Sequence, residues 1–307
     1  MSRIAYVNGA FLPHSDAAIH IEDRGNQFAD AVYEVWAIRA GGLLDTEGHL
    51  KRLGRSLGEL RIRKPMTDAA LMAVLYETVR RNRVRDGLLY LQVSRGCAPR
   101  DHCFPGEHVG PTVIVTVKRT NTRAANEKAE KGVSVITIPD IRWGRRDIKT
   151  VSLLPNALAK QAAKEAGAAE AWLIDPDGTV TEGSSSNAWI LTKENTLVTR
   201  AASQSILNGI TRQAVIAAAQ GDRITFEERA FTRDEALDAR EAFITSASAH
   251  VTPVIRIDGQ PVADGEVGPV ALALRWSYLA AAHQNSAVPH KRQAGPLVAR
   301  PAKRRIG

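Results

Sequence analysis

The sequence predicts an α/β protein of mixed α+β type, built as two α/β domains with a ligand cleft between them. Three observations carry this. A chain of 307 residues, 44% of them hydrophobic, can bury one large core or two medium ones. Strand-like alternation gives way repeatedly to apolar stripes at helical spacing. One charge-mixed stretch, "TNTRAANEKAEKG" at residues 120–132, interrupts the apolar pattern near the middle. We therefore expect a small N-terminal domain over 1–122, a linker over 123–131, a larger domain over 132–284 and a tail over 285–307.

The elements follow in order. "IAYVNGAFL" reads as a hairpin around Asn8-Gly9, and "AVYEVWAIRAGGLL" as further strand. Leu50, Leu53, Leu57 and Leu60 then repeat on one helical stripe behind Thr46, expected to be the cap. Leu71, Val74, Leu75 and Val79 do the same in "TDAALMAVLYETVRRNRV", and strands return with "LLYLQVSRG" and "PTVIVTVKR". Beyond the linker come the strand "GVSVITI", a helix with Pro155 at its start, and the strand "AAEAWLI". Next are "TVTEGSSSNAWIL", "TLVTR", the helix "ITRQAVIAAAQ", and the strands "ITFEER", "EAFITSA" and "VTPVIRIDG". The helix "GPVALALRWSYLAAAH" closes the series, and no internal repeat is present.

Composition narrows the function classes. The net charge is +8, but Lys291, Arg292, Arg300, Lys303, Arg304 and Arg305 lie beyond Gln284 with no acidic residue among them. The body is thus nearly neutral, and the tail reads as a disordered basic extension. A polyanion contact belongs to that tail if anywhere, since the body has no helix-turn-helix or aromatic-basic surface. No apolar run is long enough for a bilayer, and "MSRIAYVNGA" lacks a secretory signal, so no membrane partner and a cytoplasmic address are expected. The two cysteines, Cys97 and Cys103, form no CxxC pair and are expected to be free; no metal site is expected.

Four clusters carry chemistry. In "RRDIKTVSLL", Lys149 stands between basic and apolar neighbours, and an ammonium leaving water needs a partner or a chemical conversion. "LNGITRQAV" offers Gly209, Ile210 and Thr211 at a helix start, and "ITSASAH" offers Thr245, Ser246 and Ser248 in a small-residue turn; both suit an anion. No Walker loop or GxGxxG accompanies them, so the anion is not expected to be a nucleotide. "TVTEGSSSNAWIL" places Glu182 before Ser185, Ser186 and Asn187, a set that could hold a flat heteroaromatic ring by hydrogen bonds. In "SRGCAPRDHCFP", Arg100 and His102 point the same way in an extended segment and could grip a carboxylate. Taken singly, each is also compatible with a cap, a polar turn or a surface loop.

Together they resemble the fold-type IV aminotransferases, which use pyridoxal 5′-phosphate, and most closely the D-amino acid aminotransferases. The resemblance runs from about Ile4 to about Tyr278 through "EDRGNQFADAVYEV", "HLKRL", "VSRGCAPRDHCFP", "DIRWGRRDIKTVSLL", "EAWLIDPDGTVTEGSSSNAW", "ILNGITR" and "TPVIRIDG". It implies a cofactor site in the interdomain cleft, with Lys149 joined to the cofactor aldehyde as a Schiff base and acting as proton shuttle. It further implies Glu182 against the pyridine nitrogen, Leu207 on the ring face, and Arg52, Ile210, Thr211 and Ser246 on the phosphate. Tyr33, Arg100 and His102 would hold the substrate carboxylate, the last two from a neighbouring subunit, so a homodimer is implied. The implied reaction is a two-step exchange of the amino group between a D-amino acid and a 2-oxo acid such as 2-oxoglutarate or pyruvate.

Departures stand beside the matches. Ala29 and Ala31 replace glycines common before the tyrosine, Asn26 replaces a tyrosine, and Ala247 stands where a threonine often reaches the phosphate. On the same scaffold the rivals are branched-chain L-amino acid aminotransferase, (R)-selective amine transaminase and aminodeoxychorismate lyase; the paired Arg100 and His102 argue against the first two. Outside catalysis, the rivals are a cofactor-binding protein and a polyanion binder.

Overall fold

The computed structural model describes residues 3–221 and 224–284, so the basic tail at 285–307 lies outside the described residues. Asn8 and Gly9, at φ 45° and 100°, make the turn between β1 (Ile4–Val7) and β2 (Ala10–Pro13), the hairpin that an Asn-Gly pair favours. A short helix α1 (Arg24–Phe28) leads to β3 (Ala31–Arg39) and β4 (Gly42–Leu43). Helices α2 (Thr46–Glu59) and α3 (Asp68–Asn82) precede β5 (Gly87–Ser94) and β6 (Thr112–Arg119). These strands form one antiparallel sheet in the order β2-β1-β6-β5-β3-β4.

The two leucine stripes do what their spacing demands. Leu53 and Leu57 of α2, with Leu71, Leu75 and Val79 of α3, are buried against Val32, Trp36 and Ile38 of β3 and Leu89, Leu91 and Val93 of β5. Leu50, Leu60 and Val74 pack at the margin of this core. Thr67 caps α3 by accepting the Ala70 N–H at 3.3 Å. Thr46 does not cap α2. The cap residue is Asp45, left-handed at φ 52° and making no side-chain cap bond, while the Thr46 hydroxyl donates back to the Leu43 carbonyl.

The charge-mixed stretch is helical. In α4 (Thr122–Lys131) only Ala129 is buried, and the Asn121 side chain accepts the Ala124 N–H at 3.1 Å. Alanine, lysine and glutamate favour a helix by propensity without the apolar stripe that would reveal it. This helix lies between the last strand of the first sheet and the first strand of the second.

The second sheet is mixed. It comprises β7 (Val133–Pro139), then after α5 (Leu154–Glu165) β8 (Glu170–Ile174), β9 (Val180–Gly183), β10 (Asn187–Leu191) and β11 (Thr196–Thr199). Helix α6 (Ile210–Gly221), β12 (Thr225–Glu228), the short α7 (Arg233–Asp238), β13 (Glu241–Ser246), β14 (His250–Ile257), β15 (Gln260–Pro261) and α8 (Pro269–Gln284) complete it. The order is β12-β11-β10-β13-β14-β7-β8-β9, with β15 on β14. Strand β10 shows the two-sided burial. Ala188 and Ile190 face a core with Val135, Trp172 and Phe231, whereas Trp189 and Leu191 face α6 and α8 through Val215, Ala219 and Leu274. Among the described residues no helix is long and apolar enough to cross a membrane.

Leu75 lies fully buried between α3 and the first sheet. Leu75→Ala is expected to lower stability by about 2 to 5 kcal/mol, the range for a truncated core leucine, as read by urea unfolding.

Candidate active site

Lys149 is placed by its neighbours. Ile148 inserts into the core of the first sheet, and the backbone after it pairs antiparallel with the start of β3. The Tyr33 N–H donates to the Lys149 carbonyl at 3.0 Å, and the Val151 N–H donates to the Ala31 carbonyl at 3.1 Å. Asp147 is tied to Arg55 and Arg145 in the same stretch. The Lys149 side chain enters a cavity of about 230 Å³ between the two sheets. Its ammonium lies 4.1 Å from the centre of the Tyr33 ring, and it makes no ion pair with a carboxylate among the described residues. A half-buried lysine without a carboxylate partner is unusual, and its position leaves the nitrogen available to a ligand.

Glu182, at the end of β9, closes another wall. Its carboxylate accepts from Arg142 Nη1 at 2.5 Å, Asn187 Nδ2 at 2.9 Å and the Leu207 N–H at 3.1 Å. Asn187 also donates to the Leu207 carbonyl at 2.8 Å, so one amide holds both Glu182 and the segment carrying Leu207. Burial pushes the Glu182 carboxyl above its ordinary range, against the pull of the Arg142 guanidinium. A carboxylate so poised is sensitive to a further cation or proton donor beside it. Beyond it the charges alternate: Arg142 pairs with Asp140, Asp140 with Arg146, Arg146 with Asp175, and Asp175 with Arg200.

The remaining wall is built for an anion. Arg52 of α2 forks onto Glu34 of β3 through Nε at 2.8 Å and Nη2 at 2.7 Å, and its Nη1 donates to the Asn208 carbonyl at 3.2 Å. His49 Nδ1 meets Glu34 at 2.7 Å. Although burial alone would raise it, the charge of Arg52 brings the Glu34 carboxyl down to about 2. Across from Arg52, α6 opens at Ile210, with the Gln213 N–H donating to the Gly209 carbonyl at 3.0 Å. The N–H groups of a helix's first turn lack intrahelical acceptors and favour negative charge. Gly209, Ile210 and Thr211 line the cavity here, as do Thr245, Ser246, Ala247 and Ser248 of the turn between β13 and β14. Gly209 is required on steric grounds, because a Cβ would lie 2.2 Å from Asn187 Oδ1.

The expected residues do not all converge. Tyr33, Arg52, Lys149, Glu182, Ser185, Ser186, Asn187, Leu207, Gly209, Ile210, Thr211, Ser246 and Ala247 share the one cavity. Within it, the hydroxyls of Ser184, Ser185 and Ser186 all donate to the buried Glu170, and the Asn187 amide donates to Glu182 and to the Leu207 carbonyl. Arg100 and His102 lie outside this cavity, exposed in the loop after β5. There Arg100 sits over the Phe28 ring at 5.2 Å and His102 meets the same ring edge-on at 5.4 Å.

Residues 31–257 match the family amino-transferase class IV. The chain belongs to that family. This class IV aminotransferase is 45% identical to the D-alanine aminotransferase of Bacillus licheniformis over 263 residues, which is 86% of this chain and 91% of that one. It is 38% identical to the D-alanine aminotransferase of Staphylococcus haemolyticus over 274 residues, 89% and 95% of the two chains. Among solved structures it resembles the T.th. branched-chain amino acid aminotransferase with pyridoxamine 5′-phosphate, with a TM-score of 0.82, 31% identity and 92% and 94% of the two chains covered. The branched-chain enzyme of Escherichia coli, at 21% identity, TM-score 0.84 and 95% and 98% coverage, shares the fold.

Motif reading of this class IV aminotransferase passed over Glu34, His49, Arg142 and Asn156, although His49, Arg142 and Asn156 line the cavity. A signal existed for Glu34. Val32, Glu34, Trp36 and Ile38 share the core-facing register of β3, and a carboxylate in that register requires a buried cation. Because its folded value lies near 2, below the ordinary 4.5, ionised Glu34 stabilises the fold above the unfolded value, and this is lost as pH falls through the folded one. Glu34→Gln is expected to cost about 3 to 5 kcal/mol near neutrality, as for a broken buried pair. The difference from wild type should shrink as pH is lowered below 4.5 toward about 2, measured by urea unfolding; a pH-independent difference contradicts the pairing.

Proposed function

We propose that this class IV aminotransferase exchanges amino groups between D-amino acids and 2-oxo acids such as 2-oxoglutarate or pyruvate, with pyridoxal 5′-phosphate as cofactor. The observation that carries this is the Lys149 ammonium, without a carboxylate partner among the described residues, in a cavity whose other walls are a buried carboxylate and an anion cradle. Those three features fit a phosphorylated pyridine aldehyde: Lys149 for the aldehyde, Glu182 for the ring nitrogen, and Arg52 with the opening turn of α6 for the phosphate. When bound, the cofactor supplies an electron sink for the pair left when the substrate loses its α-proton. Leu207 borders the same space and would pack on the ring.

Lys149 binds the cofactor and moves the proton at the substrate Cα. It approaches from one side of the cavity, so the enantiomer accepted depends on which substituent the carboxylate anchor turns toward it. Tyr33 stands beside Lys149. Arg100 and His102, exposed in this chain and away from its cavity, would complete the anchor from a second copy, making the working unit a homodimer. The exposed free thiols Cys97 and Cys103 suit a reducing, cytoplasmic setting. The D-alanine aminotransferase relatives favour D-substrates, and the likeness to the T.th. enzyme keeps branched-chain L-amino acids as the second reading.

Three measurements test this. Borohydride reduction of the cofactor-loaded protein followed by peptide mapping should place the pyridoxyl label on Lys149, and a label elsewhere refutes the assignment. Mixing with D-alanine, L-leucine or an (R)-arylamine without acceptor should bleach the visible cofactor band with D-alanine most rapidly. Arg100→Ala should raise KM for D-alanine by about 10- to 100-fold, the worth of a charge-assisted contact, and should leave a neutral amine nearly unaffected.

A further inference from the structure

Arg100 and His102, which would complete the carboxylate anchor of a second copy, meet on one ring of their own chain. The Arg100 guanidinium lies 5.2 Å from the centre of Phe28, and the His102 ring meets Phe28 edge-on at 5.4 Å. Both residues are exposed, and among the described residues neither makes a salt bridge with an acidic side chain. Long side chains at a loop surface ordinarily sample several rotamers, and a ligand that orders them binds more weakly for it. A ring that both already touch removes part of that penalty.

Phe28 is itself held in place. It is the last residue of α1, half-buried, and Ala29 at φ 55° ends the helix behind it. Arg24, four positions earlier on the same helix face, sets its guanidinium 4.6 Å from the centre of the same ring. Only 3% of Arg24 is exposed; its Nε donates to Asp30 Oδ2 at 2.9 Å and its Nη1 to the Asp101 carbonyl at 2.6 Å. Asp101 is the residue between Arg100 and His102. One buried arginine therefore grips the loop backbone between the pair and also touches the ring that the pair shares. Asp30 is fixed in turn by the fork of Arg95, at 2.7 and 2.9 Å. The start of the loop is paired with the segment leading into α1: the Arg24 N–H donates to the Gly96 carbonyl at 2.9 Å, and the Ala98 N–H to the Glu22 carbonyl at 3.4 Å. Beyond the pair, the Asp101 carboxylate turns the chain by accepting the Cys103 N–H at 2.9 Å.

We propose that Phe28 is a positioning residue for substrate recognition: with Arg24 it presents Arg100 and His102 as one preformed pair for the substrate carboxylate. The choice of an aromatic partner has a physical reason. A ring attracts a cation through its quadrupole without occupying the cation's N–H groups. Arg100 is thus held by Phe28 while its N–H fork stays open to a carboxylate, whereas an acidic partner would have taken those donors. This rests on the reading that Arg100 and His102 hold the substrate carboxylate.

The test mixes the cofactor-loaded, full-length protein with D-alanine in the absence of an acceptor. Bleaching of the cofactor band gives an apparent Kd and a limiting rate, or their ratio where saturation is not reached. Wild type is compared with Phe28→Leu, Phe28→Tyr, the double variant Arg100→Ala/His102→Ala, and that double variant carrying Phe28→Leu as well. Phe28→Leu should raise the apparent Kd about 5-fold, the worth of one cation–aromatic contact near the surface, and leave the limiting rate within about 2-fold. Phe28→Tyr keeps the ring and should bind as wild type does. Added to the double variant, Phe28→Leu should change the ratio by less than about 2-fold, because Phe28 acts through the two residues already removed. A loss confined to the limiting rate, a loss undiminished in the double-variant background, or no loss at all overturns the proposal. If Phe28→Leu does not fold, Arg24→Lys, which keeps the charge but not the planar fork, is read by the same criteria. The double variant is measured first against wild type. If it takes D-alanine as well as wild type, or if wild type does not bleach, the anchor reading fails and this proposal with it; a weakened double variant beside an unaffected Phe28→Leu refutes only the role of Phe28.

Discussion

The site depends on a few backbone hydrogen bonds that splice the segment 148–151 onto the start of β3. Ile148 is drawn into the first core while Lys149, next along the chain, is turned into the space between the sheets. The backbone turns tightly at Lys149, where the Thr150 N–H donates to the Ile148 carbonyl at 2.8 Å, and this turn with the anchored Ile148 directs the lysine. The apolar contact of Ile148 thus helps set the direction of a lysine nitrogen that has no carboxylate partner among the described residues to hold it.

Around that nitrogen, charge is managed in two separate buried networks. At one end Glu34 compensates Arg52 and orients its fork, leaving the guanidinium fixed at the rim of the anion cradle. At the other, Arg142 compensates Glu182, and the alternation through Asp140, Arg146, Asp175 and Arg200 carries charge balance outward from the cavity. Uncompensated charges would be costly in such surroundings. Keeping the two networks apart leaves a fixed guanidinium at one end of the cavity and a buried carboxylate at the other.

The cradle itself is a convergence of weak features. A helix start, a small-residue turn and one arginine are each common, and none is a site alone. Helix α6, the turn before β14 and α2 bring them to one cavity, and Gly209 lets Asn187 approach close enough to serve Glu182 and Leu207 together. Elsewhere, side chains find partners that local sequence does not name. The hydroxyls of Ser185 and Ser186 serve Glu170, a residue fifteen or more positions upstream whose own burial needs those donors. Thr46 had the composition of a cap, but the left-handed turn at Asp45 moved the helix boundary.

Much was legible from the chain alone. Alternation and helical stripes revealed the strands, the α2 and α3 faces and the break between sheets, because those patterns record a side chain's distance from water. Lys149, Glu182 and the α6 opening were visible because short motifs carry their own local geometry. The helix at 122–131 was hidden since it buries only Ala129 and leaves no stripe. Pairings across long separations were equally hidden: Glu34 with Arg52, Glu182 with Arg142, and Asp45 with Tyr278. A buried charge or hydroxyl is satisfied by whatever the fold delivers to it, and that partner is chosen by packing in three dimensions, which no local stretch of sequence records.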